Sequence, residues 1–337
     1  MPRATVLTFG NSASPFHELL HNTLHNIHRM ADPPRLVVHC MDDALHAECI
    51  DLLAHNFSRM PASCYRADCC TPAQGRYWRS VMPKNALNEA IGIYKMRATI
   101  RHLKEQASPV VLMDADAMVL DRACFDELFA YEEDMVAQME GHLACPAAVE
   151  ESIGFTINTG MILFRPSMLA VLELLVELRD NQTCTQAADW MRHEHSRITC
   201  PRNESQGTRI GYRYRAHCSD QEILNTIVRF SRPHWTTYGS VLQFTPTRYV
   251  STPHLARSKQ TLSVRMLDAR RWRFAFHAGK NVSVKLHRLA APGTAPDTRL
   301  FPFPRGPQGP GVCLAHAAGL VSALKIPIMQ DRGVWYL

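Results

Sequence analysis

The stretch Val110-Val111-Leu112-Met113-Asp114-Ala115-Asp116 decides how this chain reads. Four apolar residues, two of them β-branched, form a short run with the character of a buried strand. Two carboxylates follow it, two positions apart. In a parallel sheet, ligands bind beyond the carboxyl ends of the strands, so acids at this point stand where a site is built. If the extended backbone continues past Met113, Asp114 and Asp116 point to the same side. Two hard oxygen ligands that close can share one divalent cation, Mg²⁺ or Mn²⁺, and without one they repel each other. The competing reading is that the two acids only cap the next segment.

The surroundings of this strand repeat a pattern. Upstream, residues 4–9 are a β-rich run. Residues 15–28 place Phe16, Leu19, Leu20, Leu24 and Ile27 at helical spacing. Residues 36–40 are a second apolar strand, and residues 43–57 a helix with Asp42 or Asp43 as its N-cap. Residues 87–104 form a longer helix through Ile91, Tyr94, Ala98, Ile100 and Leu103, stopped by Ser108-Pro109. Downstream come a helix at 124–131, a strand at 135–137, and two strands at 155–158 and 161–164 around Thr159-Gly160. Helices at 169–178 and 220–230 and a last strand at 312–315 follow. Residues 180–217 are polar and Arg-rich, a surface excursion, and residues 292–311 are a Pro/Gly loop. Repeated β-α-β with short apolar strands predicts an α/β fold, a helix-covered and mostly parallel sheet in one large domain.

Composition bounds the function. The chain has 337 residues, 46% hydrophobic and 20% charged, which excludes a disordered or fibrous protein. The net charge of +6 is spread along the chain, which suits anionic ligands such as phosphates and gives no nucleic-acid footprint. No window approaches ~18 uninterrupted apolar residues, so no membrane span is expected. The N-terminus runs into its first strand with no apolar signal region. The 11 Cys include no C-x-x-C pair. Cys69 and Cys70 are adjacent, and Cys184, Cys200 and Cys218 fall where a structural disulfide would serve a polar excursion, although a set of buried thiols is the alternative. Four sequons begin at Asn56, Asn181, Asn203 and Asn281. Together these lean towards the Golgi or secretory lumen, with the targeting segment absent from this chain, against a cytoplasmic alternative.

A strand followed by Asp-x-Asp serves two chemistries. In haloacid-dehalogenase-like phosphohydrolases the first Asp is a nucleophile and the motif continues differently from Ala117-Met118-Val119. In GT-A glycosyltransferases the pair holds a metal on a nucleotide-sugar diphosphate. The rest of the chain resembles the second group, the nucleotide-diphospho-sugar transferases that include glycosyltransferase family 77. Val6–Phe9 with Asn11 is similar to the opening nucleotide-binding strand and loop. Lys95-Met96-Arg97 lies on the helix before the acidic strand, where the family has a Lys. Residues 112–120 resemble its Asp-x-Asp block, Ile157-Asn158-Thr159-Gly160 through Arg165-Pro166-Ser167 its Asn-Thr-Gly block, and Ser219-Asp220-Gln221 through Asn225 its Asp-Gln block. His316-Ala317-Ala318-Gly319, Lys325 and Gly333-Val334-Trp335 resemble its terminal block, with one departure: Ala318 stands where the family has Asn.

The resemblance implies a GT-A type, Rossmann-like mixed sheet flanked by helices, with 1–119 as the nucleotide-binding half and 120–337 as the acceptor half and closing tail. It implies a metal-dependent, retaining transferase that moves a sugar, most simply from UDP, to a hydroxyl of a glycan or glycoprotein. Asp114, Asp116 and His316 would hold Mn²⁺ or Mg²⁺. Thr8, Asn11, Lys95, Asp114, Asn158, Gly160 and Lys325 would contact the nucleotide sugar, and Asp220 and Gln221 would face the reacting carbon. His277 with Lys280 is a rival for the role of His316 with Lys325, and a non-catalytic glycan- or nucleotide-binding relative is the remaining alternative.

Overall fold

The computed structural model describes residues 4–12, 16–67, 86–140, 156–180, 220–231, 234–237, 241–246, 260–267, 271–272, 313–316, 326 and 329–330. The chain opens with β1 (Thr5–Gly10), α1 (Phe16–His28), β2 (Arg35–Cys40), α2 (Asp43–His55) and β3 (Ala62–Arg66). There follow α3 (Ala86–Gln106), β4 (Val110–Asp114), β5 (Ala117–Val119), α4 (Arg122–Ala130), β6 (Met135–Glu140) and β7 (Thr156–Phe164). After α5 (Leu169–Asp180) come α6 (Asp220–Phe230), β8 (His234–Thr237), β9 (Val241–Phe244), β10 (Leu262–Met266) and β11 (Leu314–His316).

One sheet of nine strands runs β3-β2-β1-β4-β7-β6-β10-β9-β8, and a second, small one pairs β11 with β5. The expected parallel sheet holds for β3, β2, β1 and β4. Past β4 the sheet turns mixed: β7 is antiparallel to both β4 and β6, β10 is parallel to β6, and β9 and β8 run antiparallel beyond it. Strands linked by helical crossovers pair in parallel, whereas a chain that reverses locally pairs antiparallel.

Strand alternation sorts the core into two layers. Leu7, Phe9 and Leu112 pack with Tyr94 and Met96 of α3, Leu172 and Leu175 of α5, and Leu224 and Val228 of α6. Val6, Val111 and Met113 pack on the opposite face with Leu19, Leu20 and Leu24 of α1, Leu45 of α2, Phe125 of α4 and Leu314 of β11. The helices start as their caps dictate: Asp42 accepts from Leu45 N–H at 2.9 Å, and Asp121 from Ala123 N–H at 2.8 Å. Helix α3 ends on Ala107 in the left-handed region, φ 47°, immediately before Ser108-Pro109.

One expectation changes. The strands at 155–158 and 161–164 are one continuous β7, and Asn158-Thr159-Gly160 is not a turn between them. The pairing with β6 jumps from Ala137↔Ile162 to Gln138↔Asn158, so the Asn-Thr-Gly segment bulges out of the ladder. Among the described residues, disulfides join Cys49 to Cys64 and Cys124 to Cys313, while Cys40 is a buried thiol that burial pushes up to about 12. Cys69, Cys70, Cys184, Cys200 and Cys218 lie outside the described residues. No described helix is long and apolar enough to cross a membrane.

Candidate active site

The backbone does not stay extended through Asp-x-Asp. Asp114 closes β4, and Ala115-Asp116 turn the chain into β5. The two carboxylates therefore converge across a turn, not along one face of a strand. Helix α1 fixes that turn: Thr23 Oγ1 donates to the Ala115 carbonyl at 3.1 Å and Asn26 Nδ2 to the Val119 carbonyl at 2.6 Å.

The small sheet brings the far end of the chain to the same place. Antiparallel pairing sets Leu314 opposite Val119 and His316 opposite Ala117, beside Asp116. His316 is 2% exposed, with Nε2 3.7 Å from Asp116 Oδ1. Its other ring nitrogen, Nδ1, lies 3.4 Å from Gln138 Oε1. With Nδ1–H donating to Gln138, Nε2 keeps the lone pair that a metal would take. Gln138 thus supplies from β6 the orienting contact that Ala318 cannot. The Cys124–Cys313 disulfide ties the segment entering β11 to the start of α4.

Gly160 makes room for the imidazole. A Cβ there would collide with His316 Cε1 and stand 2.6 Å from Nε2, closer than any real contact. The bulge around it is held on both sides. Asn158 Oδ1 accepts from Gly160 N–H at 2.7 Å. On α6, Gln221 Oε1 accepts from Thr159 N–H at 3.2 Å, and Asn225 bonds both the N–H and the carbonyl of Ile157 at 2.8 Å. One helical turn separates Gln221 from Asn225, so both amides reach the backbone groups that the bulge frees from the ladder.

Charge is the site's strongest feature. Lys95 of α3, 7% exposed, donates to Asp114 Oδ1 at 2.6 Å and lies 3.5 Å from Asp220 Oδ2 at the start of α6. Gly92, one turn before Lys95, lets Asp220 approach: a Cβ at Gly92 would stand 2.6 Å from Asp220 Oδ1. Burial alone would discharge Lys95, but Asp114 and Asp220 outweigh it and raise its pKa above that of an ordinary amine. Burial pushes Asp114 up to about 6, with Asp116 adding to the rise and Lys95 opposing it. Asp114, Asp116 and Asp220 thus gather around the Lys95 ammonium, a set of acids whose mutual repulsion a cation relieves. Asp114, Asp116 and His316 offer ligand atoms within 4.8 Å of one another. Two carboxylates and an imidazole this close together fit a divalent cation.

The remaining candidates divide. Asn11 lies just past the end of β1, at the ligand side of the sheet. Thr8 is fully buried on the α1-facing side of β1, with Val6. Lys325, the 333–335 segment, His277 and Lys280 lie outside the described residues. Gln138, Gly92 and Thr23 went unread in the sequence. Gly92 carried a signal, because a glycine inside a helical pattern is costly and asks for a packing reason. So did Gln138, a polar residue in an apolar strand.

No family model matches the sequence, and no curated protein is similar to it. Solved structures are. Mouse xyloside xylosyltransferase 1, in its apo form, superposes with a TM-score of 0.52 at 11% identity, over 94% of this chain and 98% of that one. The fold is that of a GT-A glycosyltransferase. The galactosyltransferase LgtC in complex with donor and acceptor sugar analogues gives 0.47 at 10% identity over 99% of this chain and 96% of that one. A glycosyltransferase involved in glycosylation of the major capsid of PBCV-1 gives 0.41 at 9% identity, covering 97% and 98%. In this GT-A fold, the acidic centre lies at the carboxyl end of β4.

Proposed function

We propose that this chain is a metal-dependent, retaining glycosyltransferase that moves a sugar from a nucleotide diphosphate, UDP in the simplest case, to a hydroxyl of a glycan or glycoprotein. One observation carries the proposal: the Asp114-Asp116-His316 donor set, with Asp116 and His316 buried, in a GT-A fold. Bound there, Mn²⁺ or Mg²⁺ would neutralise the diphosphate charge that grows as the sugar–phosphate bond breaks.

The chain's own residues carry the rest of the mechanism. Asp116 and His316 hold the cation, and Asp114 shares it while anchoring Lys95. Asn11 and the 1–119 half bind the nucleotide; Lys325, in the tail of the 120–337 half, pairs with a phosphate. Asn158 and Gly160 receive the donor sugar. The acceptor hydroxyl attacks from the front face, with the leaving phosphate as its base. Gln221 lines the opposite face, and Asp220 orients the reaction and is the fallback nucleophile. A phosphohydrolase with Asp114 as nucleophile has less support, since its second acidic pair at a strand end is missing among the described residues. The compartment we propose is the Golgi or secretory lumen: two disulfides close in the described residues, and the sequon residue Asn56 is exposed at the end of α2.

A panel of nucleotide sugars with Mn²⁺ tests the reading. It predicts release of the nucleoside diphosphate from one donor, abolished by EDTA and by Asp116→Ala. Inorganic phosphate as the product would replace it with the phosphohydrolase. Chelator-resistant transfer would remove the metal from the mechanism. Glycan-free sequons and all-free thiols in protein from its native source would return it to the cytoplasm.

A further inference from the structure

A second group of metal-ligating side chains lies apart from the acidic centre. His17 and His21 stand one turn apart on α1, and Glu48 faces them from α2. His17 Nε2 lies 2.8 and 2.9 Å from the two carboxylate oxygens of Glu48, and His21 Nε2 lies 2.9 Å from Oε1. The two rings are 4.3 Å apart. The separations approach the ~3.3 Å edge of a tetrahedron whose ligands sit ~2.0–2.1 Å from a central Zn²⁺. Although His21 Nε2 is close to Glu48, it makes no hydrogen bond of acceptable angle, so a buried ring nitrogen points into the cluster without one. The side chains are 29%, 16% and 37% exposed, which leaves an ion a path in and a water a place beside it.

We propose that His17, His21 and Glu48 bind one borderline transition-metal ion, Zn²⁺ in the simplest case, as a staple between α1 and α2. Helical i, i+4 spacing puts both imidazoles on one face, and a carboxylate from the neighbouring helix completes a three-ligand set with a fourth position for water. Imidazole-rich donors select Zn²⁺, Co²⁺ or Ni²⁺, whereas the carboxylate-rich centre at Asp114 and Asp116 suits Mn²⁺ or Mg²⁺. The staple has something to hold. Helix α1 carries Thr23 and Asn26, which bond the carbonyls on either side of Asp116. An ion bound only by the folded chain stabilises that arrangement by mass action.

The experiment uses the full untagged chain in four forms: wild type, Asp116→Ala, Asp116→Ala with His21→Ala, and Asp116→Ala with Glu48→Gln. Each is equilibrated with Zn²⁺, desalted and analysed for metal per chain. Removing Asp116 takes the first centre out of the count. We expect the single variant to retain one zinc and to melt at a higher temperature with zinc than without. Adding His21→Ala or Glu48→Gln should abolish both effects. Glu48→Gln keeps the shape of a partly exposed side chain, so it tests the site even if His21→Ala fails to fold. Co²⁺ in place of Zn²⁺ should give a tetrahedral visible spectrum in Asp116→Ala and none in the doubles. A metal-free Asp116→Ala chain, or zinc content indifferent to Glu48→Gln and His21→Ala, would overturn the proposal.

Discussion

The two His-containing clusters among the described residues differ in where their side chains come from and in how they are covered. Asp114, Asp116 and His316 are assembled from β4, the turn after it and a strand two hundred residues later, and His316 is 2% exposed. His17, His21 and Glu48 come from two consecutive helices and remain open to water. The first gathers Asp114, Asp116 and Asp220 around Lys95, so a cation there would relieve the repulsion among the acids. The second is a neutral or singly charged group at the surface that folds unaided. The same residue types therefore form a demanding site in one place and an optional one in the other.

Each part of this contrast can be broken. The largest effect is expected at Asp116: replacing it with Ala should lower transfer by at least ~10³-fold, because the Lewis acid supplies several kcal/mol in the transition state. Steady-state turnover with and without Mn²⁺ measures it, and near-normal turnover in chelator would show that the buried charges serve no metal. Next come the disulfides, since each cluster has one beside it. Cys124–Cys313 spans 189 residues and Cys49–Cys64 spans 15. In the chain-entropy description the first contributes about 5 kcal/mol and the second about 3. Denaturant midpoints of paired Cys→Ser variants should differ in that order, and only loss of Cys124–Cys313 should weaken Mn²⁺ affinity, since it releases the strand that carries His316. Equal effects on both readouts would mean β11 is held by packing alone.

Gly160→Ala is a finer probe. The new methyl must displace His316 or the β7 bulge. Mn²⁺ affinity should fall by roughly 10²-fold, the range expected when the support of a metal ligand is lost. An unchanged Mn²⁺ titration would take His316 out of the centre. The smallest effect concerns a histidine in neither cluster. His39 is 1% exposed, stacked on Phe9 at 4.8 Å with Nδ1 3.0 Å from the Tyr94 hydroxyl. Burial, then His102 and Arg101, lower its pKa from 6.5 to about 3. Between those values the unfolded chain binds a proton that the folded chain refuses. Stability is therefore full above pH 6.5 and drains as the pH falls towards 3, by about 2 kcal/mol at pH 5. Urea unfolding of His39→Gln should show a shallower loss from pH 7 to 5 than wild type, and parallel curves would refute the assignment.

The acidic centre was legible where its chemistry is local. Asp114 and Asp116 follow an unmistakable strand, and the helices that carry Lys95, Gln221 and Asn225 are written in their apolar spacing. His316 could be linked to that strand only through the family resemblance, because nothing within residues 314–316 encodes pairing with β5. The bulge in β7 was misread as a turn, since Thr159-Gly160 has turn chemistry and only the register against β6 shows the strand continuing. Thr8 and Asn11 are placed differently by the pleat: alternation sends Thr8 to the α1 face, while Asn11 follows the end of the strand. Strands β8, β9 and β10 are short, flanked by irregular chain, and carry too few periodic positions to stand out.

The strand that closes the small sheet also imposes an order on synthesis. The Asp114-Asp116 turn leaves the ribosome about two hundred residues before its histidine does. At roughly 5–20 residues per second that is an interval of some ten to forty seconds. Throughout it the nascent chain carries its acidic pair without His316, and any product terminated in that interval has the first half of the sheet but no complete cation site. The donor set is thus completed late and all at once, when β11 pairs with β5, so His316 joins the acidic turn only after some two hundred further residues have been made.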